Sequence, residues 1–311
     1  IVGFTVKWPA DGDLDFAIRR VAYDGTSEIA KVTNFFNPNN AEQEIVNDLM
    51  VWWDGRVIAV GEAQYPGGGG DVDFALAVWQ PILPDGLELD PSFGASGRKL
   101  VAFDIGANRA DSAHAVAAHG TGLVVAGQAV PGPFPGPSFT TTSMAVARLD
   151  LAGNLDFTFG FQGKATVAYQ PIGGTPFFGN VGRAITPLAG GGLAVGGYAQ
   201  SVPSSNTRLA VTKLSDAGVQ DLSWGSTGWW VPNLNPPSLP FSGANAYLGG
   251  LAAAPDGGVI AAGTLVDPLD SNLARGVLAR LSPAGWPDPG FAGSGQRYHA
   301  LEPSMDPSYP V

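Results

Sequence analysis

A thirteen-residue stretch, Ala115 to Gly127 (AVAAHGTGLVVAG), returns in recognisable form along the chain and sets the unit from which any fold must be built. Its second half, Leu123 to Ala126, is an uninterrupted apolar run closed by Gly127. That pattern suits a strand covered on both faces. Counterparts are Val57 to Val60 before Gly61, Leu193 to Gly196 before Gly197 and Val259 to Ala262 before Gly263, with Ile1 and Val2 before Gly3 as a shortened first copy. These anchor glycines lie about 58 to 70 residues apart, a spacing that signals a repeat architecture.

Two further landmarks keep the same period. After each anchor comes a second apolar strand: Asp15 to Arg20, Asp73 to Val78, Ser143 to Arg148, Arg208 to Lys213 and Arg275 to Arg280. A turn then leads to a short signature, LDPSFG ending at Gly94, LDFTFG at Gly160, QDLSWG at Gly225 and PDPGFA at Ala292. The first copy lacks the signature, and Trp224 replaces a core Phe in the fourth.

Composition bounds what the repeats can build. Charged residues are only 14%, against 44 glycines and 26 prolines, which favours short strands joined by turns over long helices. With no cysteine, neither a disulfide framework nor a thiolate metal site can form. The formal net charge of −11 argues against nucleic acid or an anionic membrane surface as a partner. No apolar run is long enough for a membrane-spanning helix. The chain opens on Ile rather than Met, without a signal segment, and reads as a processed form or an excised fragment.

Four antiparallel strands per unit, repeated five times, predict an all-β fold, a β-propeller of five four-stranded blades in one domain spanning 1–311. The expected units are 1–40, 41–105, 106–170, 171–233 and 234–301, followed by a tail, 302–311. A linear β-solenoid is the alternative, but its repeats are usually shorter. The first blade is expected to lack its innermost strand within this chain, because no strand precedes Ile1 and the tail carries Pro303, Pro307 and Pro310. Residues from outside the chain, an irregular path of the tail, or a strand lent by another molecule could fill the gap.

The pattern of Asp73 to Lys99 with Asp54 to Gly61, and of Ser143 to Lys164 with Ala115 to Gly127, resembles the bacterial delta-60 repeat over nearly the whole chain. The resemblance implies a propeller-like fold similar to that of NHL repeats, in secreted or surface-exposed bacterial proteins, extracellular or periplasmic. It implies no catalytic motif.

In a meander, the turns joining the first strand to the second and the third to the fourth share one end of each sheet. Here they are uniform, as in Asp54-Gly55, Thr121-Gly122, Gly191-Gly192 and Asp256-Gly257. The connections at the other end vary and are rich in Gly, Pro and aromatics, so recognition is expected there. Candidate binding residues on that end are Trp8, Tyr65, Phe134, Phe177, Phe178 and Phe241, with Asp48 and His114 on innermost strands as channel candidates beside the plainer reading of a polar lining. The repeated Asp90, Asp156, Asp221 and Asp288 could bind calcium, but a single Asp beside a turn more often caps it, so no cofactor or metal is expected.

These features predict a non-catalytic binding or assembly scaffold that takes a protein or glycan partner through its variable loops. The alternative is a glycoside hydrolase-like five-bladed propeller acting on a carbohydrate. That chemistry needs carboxylates from several innermost strands, and only the second unit offers them, in Glu42, Glu44 and Asp48.

Overall fold

The computed structural model describes residues 2–7, 14–21, 28–34, 44–64, 71–82, 86–105, 110–130, 142–169, 177–201, 206–232, 234, 245–266 and 274–300. Among them there is no helix. The first sheet holds β1 (Val2–Lys7), β2 (Leu14–Val21) and β3 (Glu28–Asn34). The second holds β4 (Glu44–Val51), β5 (Val57–Gln64), β6 (Val72–Ile82), β7 (Gly86–Leu89) and β8 (Arg98–Val101), with β6 pairing both β7 and β8. The third runs β9 (Ser112–His119), β10 (Gly122–Ala129), β11 (Ser143–Leu149) and β12 (Lys164–Val167). The fourth runs β13 (Phe177–Pro187), β14 (Leu193–Ser201), β15 (Thr207–Leu214) and β16 (Trp229–Trp230). The fifth runs β17 (Asn245–Ala253), β18 (Val259–Val266), β19 (Ala274–Leu281) and β20 (Gln296–Ala300).

The repeats of the sequence are thus antiparallel sheets of consecutive strands. Among the described residues the first sheet has three strands, beginning with the equivalent of a second strand. The tail 302–311 lies outside the described residues. One element departs from four strands per unit: β6 runs on to Ile82 and folds back as β7, pairing Trp79 with Leu89 and Ile82 with Gly86. This extra hairpin arises where the second unit carries PILPDGLEL instead of a tight Ala-Gly turn.

The chain divides into two compact units, Ile1–Ala168 with the first three sheets and Tyr169–Val311 with the last two. In the first unit the middle sheet is covered on both faces. Ile58, Val60, Phe74 and Leu76 pack with Val116, Leu123 and Val125 of the third sheet. The alternate residues Val57, Ala59, Ala75 and Ala77 pack with Phe16 and Ile18 of the first. Double coverage is the reason these strands read as unbroken apolar runs. In the second unit Ala194, Leu209 and Val211 pack in the same manner with Leu248, Val259 and Val277.

The anchor glycines have a specific steric cause. The leading strand of each four- or five-stranded sheet carries a β-bulge opposite its anchor, between Val46 and Asp48, at Ala126/Gly127, between Gly182 and Ala184, and between Leu248 and Gly250. The bulge drives a carbonyl onto the neighbouring strand. A Cβ on Gly61, Gly127, Gly197 or Gly263 would overlap the carbonyl oxygen of Ile45, Ser112, Val181 or Tyr247 respectively. From the other side the preceding sheet closes in: a Cβ on Gly127 would meet Phe74 at 2.8 Å, one on Gly61 would meet Phe16 at 3.1 Å, and one on Gly263 would meet Leu209 at 3.3 Å.

The signature forms a second lock between consecutive sheets. Phe93, Phe159 and Trp224 are buried. After Phe93 and after Trp224 the following amide donates to the next sheet's turn, Gly94 N to Ala152 O at 2.8 Å and Gly225 N to Ala284 O at 2.7 Å. The residue at this point has left-handed backbone, with φ of 53° at Gly94, 54° at Gly160 and 59° at Gly225, and 53° where the fifth copy has Ala292.

Two outcomes follow for stability in urea unfolding. Gly127→Ala is expected to destabilise by about 3 kcal/mol or more, whereas Gly190→Ala, with open space around it, stays within about 0.5 kcal/mol of the parent. Ala292→Gly is expected to stabilise by about 1 kcal/mol by relieving a left-handed alanine.

Candidate functional site

The bulges decide which leading-strand side chains stand apart from the regular ladder. The extra residue is Asn47 in β4, His114 in β9, Arg183 in β13 and Gly249 in β17. Asp48 pairs with Val60 and Ala115 with Ala126, so Asp48 and Ala115 occupy equivalent places. Simple counting along the chain instead aligns Asp48 with His114. The turn of the third sheet is one residue shorter, with Ala118 paired to Leu123 where Val51 pairs with Val57, so the count slips by one and His114 belongs with Asn47.

Asp48 and Asn47 tie the second sheet to the third. Asp48 Oδ2 accepts the Val116 amide at 2.9 Å and its Oδ1 accepts the Leu49 amide at 2.8 Å. Asn47 Nδ2 donates to the Ala113 carbonyl at 2.7 Å. On the other side the Val46 amide donates to Thr5 Oγ1 of β1 at 3.2 Å. Burial pushes the Asp48 carboxyl up, against the two amides that favour its anion. His114 is half-buried, immediately after the carbonyl that Asn47 holds. This explains the candidate Asp48 as a cross-sheet acceptor.

Buried acceptors at the entry to the leading strands work in the same way. Asp111 Oδ2 accepts the Phe103 amide at 2.7 Å, and Asn180 Oδ1 accepts the Tyr169 amide at 3.0 Å. Burial raises the Asp111 carboxyl despite the amides of Phe103, Asp104 and Val130. An amide oxygen does the equivalent job in the fourth sheet, so the position requires an acceptor and not a charge. Glu44 is buried, and it interacts electrostatically with Arg98, whose guanidinium burial pushes down and the carboxylate pushes back up.

The signature aspartates are turn caps with a cation attached. Asp90 Oδ1 accepts the Ser92 amide at 2.9 Å and its hydroxyl at 2.6 Å. Asp156 and Asp221 bind Thr158 and Ser223 in the same way, and Asp288 takes the Gly290 amide at 2.9 Å. Their second oxygens pair with Arg56, Arg148, Lys213 and Arg280 in turn. Burial would raise the Asp90 carboxyl, but Ser92 and Arg56 together hold it below its ordinary value. The Thr158 hydroxyl and amide hold Asp156 down, and the Ser223 hydroxyl leads for Asp221. Among the described residues no group of three or more His, Asp or Glu side chains could hold a metal ion.

A groove of about 480 Å³ lies at the uniform-turn end of the third sheet, between His119–Gly122 and Arg148–Phe157. Two carboxylates line it, Asp150 and Asp156. Asp150 Oδ1 accepts the amides of Ala152 at 2.9 Å and Asn154 at 2.8 Å, and its Oδ2 accepts Asn154 Nδ2 at 3.0 Å. Burial works to raise the Asp150 carboxyl, but the Asn154 side chain and amide and the Ala152 amide lower it overall. Neither carboxyl is held protonated, as a general acid would need to be.

The expected loop candidates Trp8, Tyr65, Phe134 and Phe241 lie outside the described residues, as does Glu42. Phe177 and Phe178 open β13, and their side chains are likewise outside the description. What the sequence reading missed is the bulge residue Asn47 and the turn groove. A polar pair inside an apolar strand, Asn47-Asp48, was the available signal for the first. For the groove the available signal was Asp150, Asn154 and Phe157, which differ from their counterparts in the other copies. No protein-family model matches the chain, and comparison with curated proteins returns no match. No helix among the described residues is long and apolar enough to cross a membrane.

Asp48→Ala is expected to cost about 1–3 kcal/mol, since the Val116 amide loses its acceptor. Its carboxyl is raised in the folded state, so the ionised group is a liability. As pH climbs from about 4, the parent should lose stability relative to Asp48→Asn. Asp90 has the opposite sign. Its contribution, about 2 kcal/mol, is present above about pH 4 and disappears as pH falls through its lowered folded-state value, so Asp90→Asn should flatten acid unfolding. Urea midpoints taken from pH 3 to pH 7 check both.

Proposed function

We propose that the chain is a non-catalytic binding or assembly scaffold, a closed five-bladed propeller of the delta-60 repeat type that presents variable loops from one end of its sheets. It acts as a secreted or surface-exposed bacterial protein and takes a protein or glycan partner. The observation that carries this reading is how the acidic side chains are used. The signature carboxylates cap turns and pair with a neighbouring cation, and Asp48 and Asp111 join segments by accepting backbone amides. A scaffold spends its charges on holding the frame. An enzyme leaves some aimed at a substrate.

The topology adds to the reading. The connections leaving β5, β10, β14 and β18 towards the third strand emerge at the end opposite the uniform turns, where length can change without disturbing the ladders. The hydrolase alternative meets two carboxylates in one groove, Asp150 and Asp156, but both sit below the usual carboxylate range and neither can deliver a proton at neutral pH.

Small-angle scattering and glycoside turnover test the proposal together. A closed ring of this length has a radius of gyration of about 19–20 Å, and no aryl glycoside should be hydrolysed above background. A markedly larger radius sinks the ring. Turnover that disappears in Asp156→Asn sinks the non-catalytic reading.

A further inference from the structure

We propose that the turn groove of the third sheet binds a neutral sugar, with the ring lying on Phe157 and hydroxyls reaching Asp150 and Asn154. This site lies at the end of the sheet opposite the variable loops, so it goes beyond the loop recognition proposed above. The argument compares what this repeat carries with what the turn needs.

In the third, fourth and fifth sheets the turn closes by the same backbone bonds. Asp150 N donates to Asn154 O at 2.9 Å, Ser215 N to Val219 O at 2.8 Å and Ser282 N to Trp286 O at 2.8 Å. The fourth sheet makes this turn with Ser215 and Val219, and the fifth with Ser282 and Trp286, so neither a carboxylate nor a carboxamide is required. The third sheet alone of these places Asp150 and Asn154 there. Likewise the residue after the signature aspartate is Pro91, Leu222 or Pro289 in the other copies and Phe157 here. Its ring is 71% exposed, so it contributes little to the core.

Three substitutions in one repeat therefore converge on one groove of about 480 Å³, a size that suits a small ligand. They supply a flat apolar face and planar polar groups. The polar groups are already ordered: Asp150 Oδ2 spends one acceptor position on Asn154 Nδ2, leaving a second, and among the described residues nothing donates to the Asn154 carboxamide oxygen. Side chains fixed before binding lose little entropy when a hydroxyl arrives. An apolar ring beside adjacent acceptors matches a sugar, which shows C–H bonds on one face and O–H donors at its edge.

Charge chooses among polar ligands. Arg148, the one Lys or Arg lining the groove, is engaged by Asp156 at 2.9 Å and by Thr158 at 2.6 Å, which leaves it little to offer a phosphate or carboxylate. The chain's net charge of −11 repels anions further. Three donors already occupy acceptor positions of Asp150, which leaves fewer for an ammonium group. An uncharged ligand fits both constraints.

The test is titration of the full chain with maltose, cellobiose, lactose and diacetylchitobiose, followed by calorimetry and NMR at 0.05 and 0.5 M salt. At least one should bind at a single site with a dissociation constant in the millimolar range or tighter, insensitive to salt. Phe157→Ala and Asn154→Val should each weaken it about tenfold or more, while thermal midpoints stay within a few degrees of the parent. Absence of binding by all four at about 20 mM overturns the proposal, as does unchanged binding in Phe157→Ala or preferential binding of choline or lysine. A sugar lost when residues 131–141 are exchanged for Gly-Ser, yet kept by Phe157→Ala, belongs to the loop end. In that case this inference fails and the loop reading survives.

Discussion

A backbone carbonyl pressed against a glycine is the contact on which the architecture depends. In each sheet with a leading strand, a β-bulge brings the carbonyl of Ile45, Ser112, Val181 or Tyr247 onto the anchor glycine of the next strand. Where the description extends across a pair of sheets, a large side chain of the preceding third strand packs over the same spot: Phe16, Phe74 or Leu209. Two approaches that no Cβ could survive meet at one residue. The glycine therefore recurs with the repeat, and the sheets can stack closely enough to be buried on both faces.

The bulge also explains the placement of polar side chains inside a fold built from apolar strands. An extra residue in a leading strand cannot follow the in-and-out alternation of its neighbours. Asn47 uses that freedom to reach the third sheet, and the following Asp48 accepts an amide there. These links are buried or half-buried and their partners are backbone groups, which must be satisfied once the sheets come together. The signature supplies a complementary tie at the turn end, where the aromatic fills the space between sheets and the amide after it reaches the next turn. Packing and hydrogen bonding are thus joined in the same short segment.

Charge is used sparingly and locally. Each signature aspartate closes a turn with one oxygen and holds a cation with the other, so the energy it contributes is tied to geometry. Against this regular background, departures become informative. Asp150, Asn154 and Phe157 distinguish one turn from its copies without being demanded by it, and they line one groove. In a repeat protein, a side chain that one copy has and the others do without is the natural place to look for recognition.

The amino-acid sequence by itself determined the repeat, the strand content and the turn chemistry, because glycine, aspartate and aromatic residues at a fixed period leave few other readings. It placed β9, β14 and β20 within a few residues, because each returns at the period of the repeat. It could not show the bulges, which leave no mark in composition, nor that the turn of the third sheet is one residue shorter, and so it aligned His114 with Asp48, whose equivalent by strand pairing is Ala115. Nor could it show β7, where Pro81 reads as an ending and β6 continues through it to Ile82 before β7 pairs back. Which acceptor serves which amide, and which turn opens into a groove, was decided by tertiary structure alone. Those relations join residues about 60 positions apart, and only the stacking of one sheet on the next brings them within a hydrogen bond.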